Sequence, residues 1–180
     1  MSTLADVVQQ IDRGELSPSL PLRGQRGSAA SSLTRPRSPR RRGRRAPSLT
    51  GALPPVASLI GFTLTAVQPG QAVIELEATA QHANPMGTLH GGILCDIADA
   101  AMGMAYASTL AEGETFTTLE LKINFLRPFW TGKLVAEAHM VKDGRTIGLV
   151  ECNVTDALRR LVARASSTCM TLRGEQAKGR

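Results

Sequence analysis

The sequence predicts an α+β domain in which an antiparallel sheet wraps around one long buried helix. Two observations carry this reading. Residues 91–109, GGILCDIADAAMGMAYAST, are rich in Ala, Leu, Ile and Met, contain no Pro, and carry only Asp96 and Asp99 as side chains charged at neutral pH. About five turns of helix with so little charge must bury most of their circumference. Beyond them, segments that read as strands follow one another through short turns, the mark of an antiparallel sheet. One apolar helix needs that sheet to cover it.

The elements follow in order. Residues 3–13 place Leu4, Val7, Val8 and Ile11 at helical spacing behind Ser2, a suitable N-cap, so residues 1–15 are read as an N-terminal helix. Residues 16–55 hold nine Arg and no Asp, Glu or Lys, for a charge of +9, which leaves 12 − 15 = −3 for the rest of a +6 chain. With no aromatic residue and no periodic apolar face, this stretch is expected to be a disordered insertion. The folded domain is expected over residues 56–173, with a flexible tail at 174–180. It opens with a helical turn at 56–60, then a hairpin of strands 62–67 and 72–78 around Gln68, Pro69 and Gly70. A loop at 81–89 leads into the central helix. Strands at 115–127, 133–142, 146–155 and 161–172 follow, the middle pair turning at Asp143, Gly144 and Arg145.

Composition narrows the function classes. Three Cys, at 95, 152 and 169, form no C-x-x-C pair, which argues against a disulfide scaffold or zinc module and favours a reducing, cytoplasmic setting. No apolar run is long enough to span a membrane, and the first fifteen residues lack the order of a secretory signal. His82, His90 and His139 have no ligand spacing, so no metal is expected. There is no P-loop, and no cofactor is called for. The run Arg40, Arg41, Arg42, Arg44, Arg45 could attract phosphate, but no aromatic residue interleaves it to stack bases, so nucleic acid is not an expected partner.

The chemistry is concentrated around the start of the central helix. Gly91 and Gly92 would present unpaired N–H groups unshielded by side chains, an arrangement that stabilises an anion; alternatively they only permit close helix packing. Asp99, two turns further on, sits in an apolar helix, where burial would raise its pKa toward that of a useful base or nucleophile. It could equally be a structural carboxylate held by a neighbouring donor, and Asp96 is its rival on much the same face.

The pattern Asn84-x-x-Gly87-x-x-His90-Gly91-Gly92, with Asp99 nine residues after the His, resembles the signature of the hotdog-fold acyl-CoA thioesterases of the PaaI-like group. Asn124-Phe125-Leu126-Arg127-Pro128 resembles the strand end that follows in that family, and the resemblance runs from about residue 54 to residue 173. It implies that Asp99 acts on a thioester carbonyl as nucleophile or general base while the Gly91 amide, flanked by Gly92, holds the carbonyl oxygen. Asn84 would orient water or thioester, and His90 would fix the loop. A hydroxyl on the strand after the helix would assist the carboxylate; counting back from Pro128 gives Thr118, with Thr117 as the alternative. Candidate cations for the coenzyme A phosphates, by position, are Arg127 and Arg145, with Arg159 and Arg160 also available, although each could equally be an ordinary solvated surface charge. On the last strand, Ser166, Ser167 and Thr168 could face the pantetheine arm or simply the solvent.

Helix geometry adds a consequence. Eight residues separate Gly91 from Asp99, so the two groups lie roughly 12 Å apart along one helix. A thioester touching both must take one from each of two copies, which predicts a homodimer or homotetramer with shared sites. An apolar pocket for an aryl or medium-chain acyl group is expected from Met86, Leu94, Met102, Met104 and Tyr106. Two other readings remain: a hydratase or dehydratase using His90 and Asp99, although its Asp-x-x-x-x-His pattern is absent, and a non-enzymatic acyl-CoA-binding protein whose insertion meets a polyanion.

Overall fold

The computed structural model describes residues 54–179. The expected helix at 3–13 and nearly all of the Arg-rich segment lie outside these residues. A short helix, Pro55–Ile60, opens the domain, one residue earlier than expected because a Pro at the first helical position gives up no hydrogen bond. Strands β1 (Phe62–Gln68) and β2 (Gln71–Ala78) precede the central helix, Gly91–Ala107. β3 (Thr115–Phe125), β4 (Gly132–Lys142), β5 (Ile147–Asp156) and β6 (Leu161–Leu172) complete one six-stranded sheet in the order β1-β2-β4-β5-β6-β3, and every pairing is antiparallel. The tail forms a 3₁₀ turn at Gly174–Ala177. Among the described residues no helix is long and apolar enough to cross a membrane.

Alternation along the strands builds the inner face. Ala72, Ile74, Leu76 and Ala78 on β2, Leu134, Ala136 and Ala138 on β4, and Val150, Cys152 and Val154 on β5 are all buried. The alanines let the helix approach closely. From the helix side, Leu94, Ile97, Ala98, Ala101, Met102 and Ala105 fill this face. The far end of the helix is tied down by Ser108, whose hydroxyl accepts from Gly70 N–H at 2.8 Å and reaches the Gln68 carbonyl at 2.9 Å. Gly70, at φ 75°, supplies the left-handed residue that the β1–β2 turn requires.

The helix is less enclosed than its composition predicts. β1 and β3 are the two edges of the sheet, and the helix keeps an open face on which Asp96 and Asp99 are exposed and Ala100, Gly103, Met104 and Ala107 are only half-buried. Along β3 the inward parity changes. Leu119 has no partner between the pairs Thr118–Cys169 and Glu120–Thr168, so a bulge there aims Phe116 and Thr118 before it, and Leu121 and Ile123 after it, at the helix side. β3 ends at Phe125, two residues short of the expected Arg127, because Leu126 and Arg127 both donate to the Val162 carbonyl as the chain turns toward Pro128.

Candidate active site

The loop before the central helix is held by its own side chains. Asn84 N–H donates to the Thr88 carbonyl at 2.7 Å, Asn84 Nδ2 donates to Thr88 Oγ1 at 2.8 Å, and Asn84 Oδ1 accepts from Met86 N–H at 2.9 Å. This Asx-type turn occupies the Asn84 side chain within the loop, so here Asn84 shapes the backbone. His90 is the N-cap: its Nδ1 accepts from Gly92 N–H at 2.9 Å. His90 N–H donates to the His82 carbonyl at 2.8 Å, and His82 in turn caps the preceding 3₁₀ turn through Thr79. Gly92 is thereby spent on His90, whereas Gly91 N–H has no acceptor among the described residues. Gly91 is thus the donor that the helix N-terminus leaves open toward an anion.

Gly91 lines a cleft with Thr88, Leu94, Phe125, Arg127 and Phe129. A side chain on Gly91 would come within 2.9 Å of the Phe125 ring, so glycine is what lets the aromatic ring and the helix end approach. Arg127 therefore stands at the donor end. Arg145 does not: it lies with Thr109, Glu114 and Arg173 at the far end of the helix. Arg159 pairs with Glu137 at 3.4 Å, and Arg160 pairs with Asp156 at 2.7 Å, so both are engaged in the surface of the fold.

Asp99 belongs to a different cavity, of about 240 Å³, lined by Phe62 of β1, Ile74 of β2, Phe116 and Thr118 of β3, and Ala100, Gly103 and Met104 of the helix. Pro54 completes its rim. The cavity occupies the seam where the two sheet edges approach over the open helix face. Asp99 is exposed on the isolated chain, contrary to the expectation of burial, yet its apolar surroundings still push its carboxyl pKa upward. The nearby Thr118 hydroxyl favours the charged carboxylate and offsets part of that rise, and the neighbouring Asp96 adds to it. Thr118 is therefore the hydroxyl beside Asp99. Thr117 pairs with Met170 on the opposite face of the strand and is not at the site.

The expected pocket residues need correction. Met104 lines the Asp99 cavity, and Leu94 lines the Gly91 cleft instead. Met102 and Tyr106 are buried in the core, Tyr106 with its hydroxyl 2.8 Å from Thr171 Oγ1, and Met86 is exposed on the loop. The walls that were missed, Phe62, Ile74 and Phe116, come from strands distant in sequence; only Gly103 and Ala107, one and two turns beyond Asp99, carried a helical-spacing signal. On β6, Ser167 points inward and donates to the Glu120 carbonyl at 2.9 Å, while Ser166 and Thr168 alternate to the other face. Among the described residues no three His, Cys, Asp or Glu side chains gather where they could hold a metal.

Comparison with known proteins gives this geometry a family. A model of the thioesterase superfamily matches residues 86–163, the span from the donor loop to β6. Human acyl-coenzyme A thioesterase 13 is 30% identical over 109 residues, which cover 59% of this chain and 77% of that one. The 1,4-dihydroxy-2-naphthoyl-CoA hydrolase of Listeria monocytogenes is 30% identical over 103 residues, covering 57% and 84% of the two chains. Among solved structures, the E. coli PaaI protein from the phenylacetic acid degradation operon superposes with a TM-score of 0.62 at 28% identity, over 66% of this chain and 85% of that one. One helix, a sheet curled about it and a glycine-led helix start thus coincide with sequence kinship, and the chain belongs to the thioesterase superfamily as a hotdog-fold thioester hydrolase of the PaaI-like group.

Proposed function

We propose that the chain hydrolyses aryl- or medium-chain acyl-CoA thioesters at sites shared between two copies, Asp99 of one copy and the Gly91 amide of another acting on the same carbonyl. The supporting observation is the division of labour along the helix. The carboxylate and Thr118 line one cavity, the open amide faces another, and roughly 12 Å of helix separates them. With two helices packed antiparallel, each carboxylate meets the other copy's donor.

In such a site the acyl group lies in the apolar cavity, with its carbonyl carbon near the Asp99 carboxylate. Asp99 attacks that carbon, or takes a proton from the water that does. Charge collects on the carbonyl oxygen, where the Gly91 N–H and the positive end of the helix hold it. Collapse of the tetrahedral species expels the coenzyme A thiolate, which leaves with little help from an acid; the general-base route yields the free acid directly, and on the nucleophilic route water then hydrolyses the acyl–Asp99 anhydride. Arg127 supplies a cation at the donor end for the phosphates of the coenzyme.

Thiol release from a panel of acyl-CoAs, read together with the mass of the assembly in solution, tests this reading. Turnover by a multimer supports it. A monodisperse monomer with full activity refutes the shared site, and crotonyl-CoA hydration without thiol release would move the chain to hydratase chemistry.

A further inference from the structure

The Asp99 cavity contains a glycine where a helix would gain from alanine. Gly103 lies one turn beyond the carboxylate on the open face of the helix, and glycine inside a helix is less favourable than alanine. A Cβ at this position would stand 3.3 Å from Phe116 Cζ, tighter than ordinary contact. On one side the ring is limited by Tyr106, with ring centroids 5.3 Å apart. Tyr106 is itself locked: it is 1% exposed, its hydroxyl bonds Thr171, and its ring edge lies against Gly148, where a Cβ would be 2.5 Å away. A methyl group added at 103 stands in the lining of the cavity beside Asp99 and takes its space there, either directly or by displacing Phe116, which lines the same cavity.

We propose that Gly103, set against the braced Phe116 ring, fixes the upper size of the acyl group that can reach Asp99. This rests on the thioesterase reading above and adds to it the residue that sets the size limit. Gly103 touches neither the carbonyl nor the leaving group, so its effect is on which acyl groups fit.

The test measures kcat/KM for a series from butanoyl-CoA through octanoyl-CoA to phenylacetyl-CoA with wild type, Gly103→Ala and Gly103→Val. The ratio of bulky to small substrates should fall about tenfold or more in Gly103→Ala and further in Gly103→Val, the scale on which apolar pockets discriminate by a methylene. Adding Phe116→Leu to Gly103→Ala should restore the ratio. Thermal melts and helix content accompany each variant; should the Val form fail to fold, the Ala form and its Phe116→Leu rescue still decide. A uniform loss across the series, or an unchanged ratio, overturns the proposal and makes Gly103 a packing residue. A wild-type chain inert on every substrate overturns the hydrolase reading and this proposal with it.

Discussion

The two ends of the proposed active site are built in different ways. At the donor end, most bonds that shape the loop join residues close together in the chain: Asn84 to Met86 and Thr88, His90 to Gly92, and His82 to Thr79 and His90, while Leu89 N–H to the Phe129 carbonyl and His82 Nε2 to the Ile60 carbonyl anchor the loop to the rest of the domain. At the carboxylate end, Asp99 meets Phe62 and Ile74 from before the helix and Phe116 and Thr118 from beyond it, and none of these is near it in sequence. A backbone donor needs only a correctly turned loop, which short-range bonds can set. A carboxylate with a raised pKa needs apolar walls, and a single turn of chain cannot supply them. The donor end is thus mainly a local structure pinned to the fold at Phe129, and the acid end a product of long-range packing.

The largest expected effect tests the acid end. Asp99→Asn should lower kcat by ~100- to 10,000-fold, the usual worth of a positioned acid–base or nucleophilic group, in a thiol-release assay. Its stability should move the other way. Folding raises the pKa of this carboxyl, so the charged form weighs against the folded state above that pKa and the penalty lifts as pH falls through it. The neutral amide avoids the penalty at every pH, and a higher Tm at neutral pH is expected. Near-normal turnover would remove Asp99 from the mechanism.

Mixing the two ends across copies is the next test. If sites are shared, chains carrying Asp99→Asn and chains carrying a donor-end block, Gly91→Val, should be nearly inactive alone. Co-refolded at random, they should recover about a quarter of wild-type activity, because half the dimers then hold one intact site. No recovery, with mixed dimers demonstrated by mass spectrometry, would place both groups in one chain.

A smaller effect separates Thr118 from Asp99. The hydroxyl beside the carboxylate favours its charged form, so Thr118→Val should raise the Asp99 pKa further and move the acid limb of the kcat/KM profile to higher pH. An unmoved limb with lower activity would mean that Thr118 contacts substrate and leaves the carboxylate untuned. Smallest of all, His90→Ala should cost about 1 kcal/mol of stability through loss of the helix cap, measured by denaturant melting. A much larger loss of turnover than of stability would give His90 a chemical part that its bond to Gly92 does not suggest.

Particular residues show how far the chain could be read unfolded. Gly91, His90 and the hairpin at Gly70 announce themselves, because turn and cap chemistry depends on near neighbours. Thr118 emerged from counting back along the strand, and the bulge at Leu119 is what preserves its inward aim. Met102 and Tyr106 look as suited to a cavity wall as Met104 does, yet they lie in the core; which apolar residue becomes core and which becomes wall depends on where the sheet edges stop. For the same reason the helix, apolar enough to be enclosed, keeps an open strip around Asp99.

The sequence by itself determined the elements from the helix at residue 55 onward, the antiparallel sense of the sheet, the glycines at the helix start and the presence of an acidic group on an apolar helix, since each follows from periodicity or from bonds spanning a few residues, whereas the pairing of β3 with β6 came only from the structure. Tertiary structure alone decided that Phe62 and Phe116 flank the acid, that Arg127 stands at the donor end and Arg145 at the opposite end of the helix, and that Gly103 borders the cavity. Those outcomes depend on how far a twisted six-stranded sheet curls around its helix before its edges stop, and that is a property of the whole packed domain.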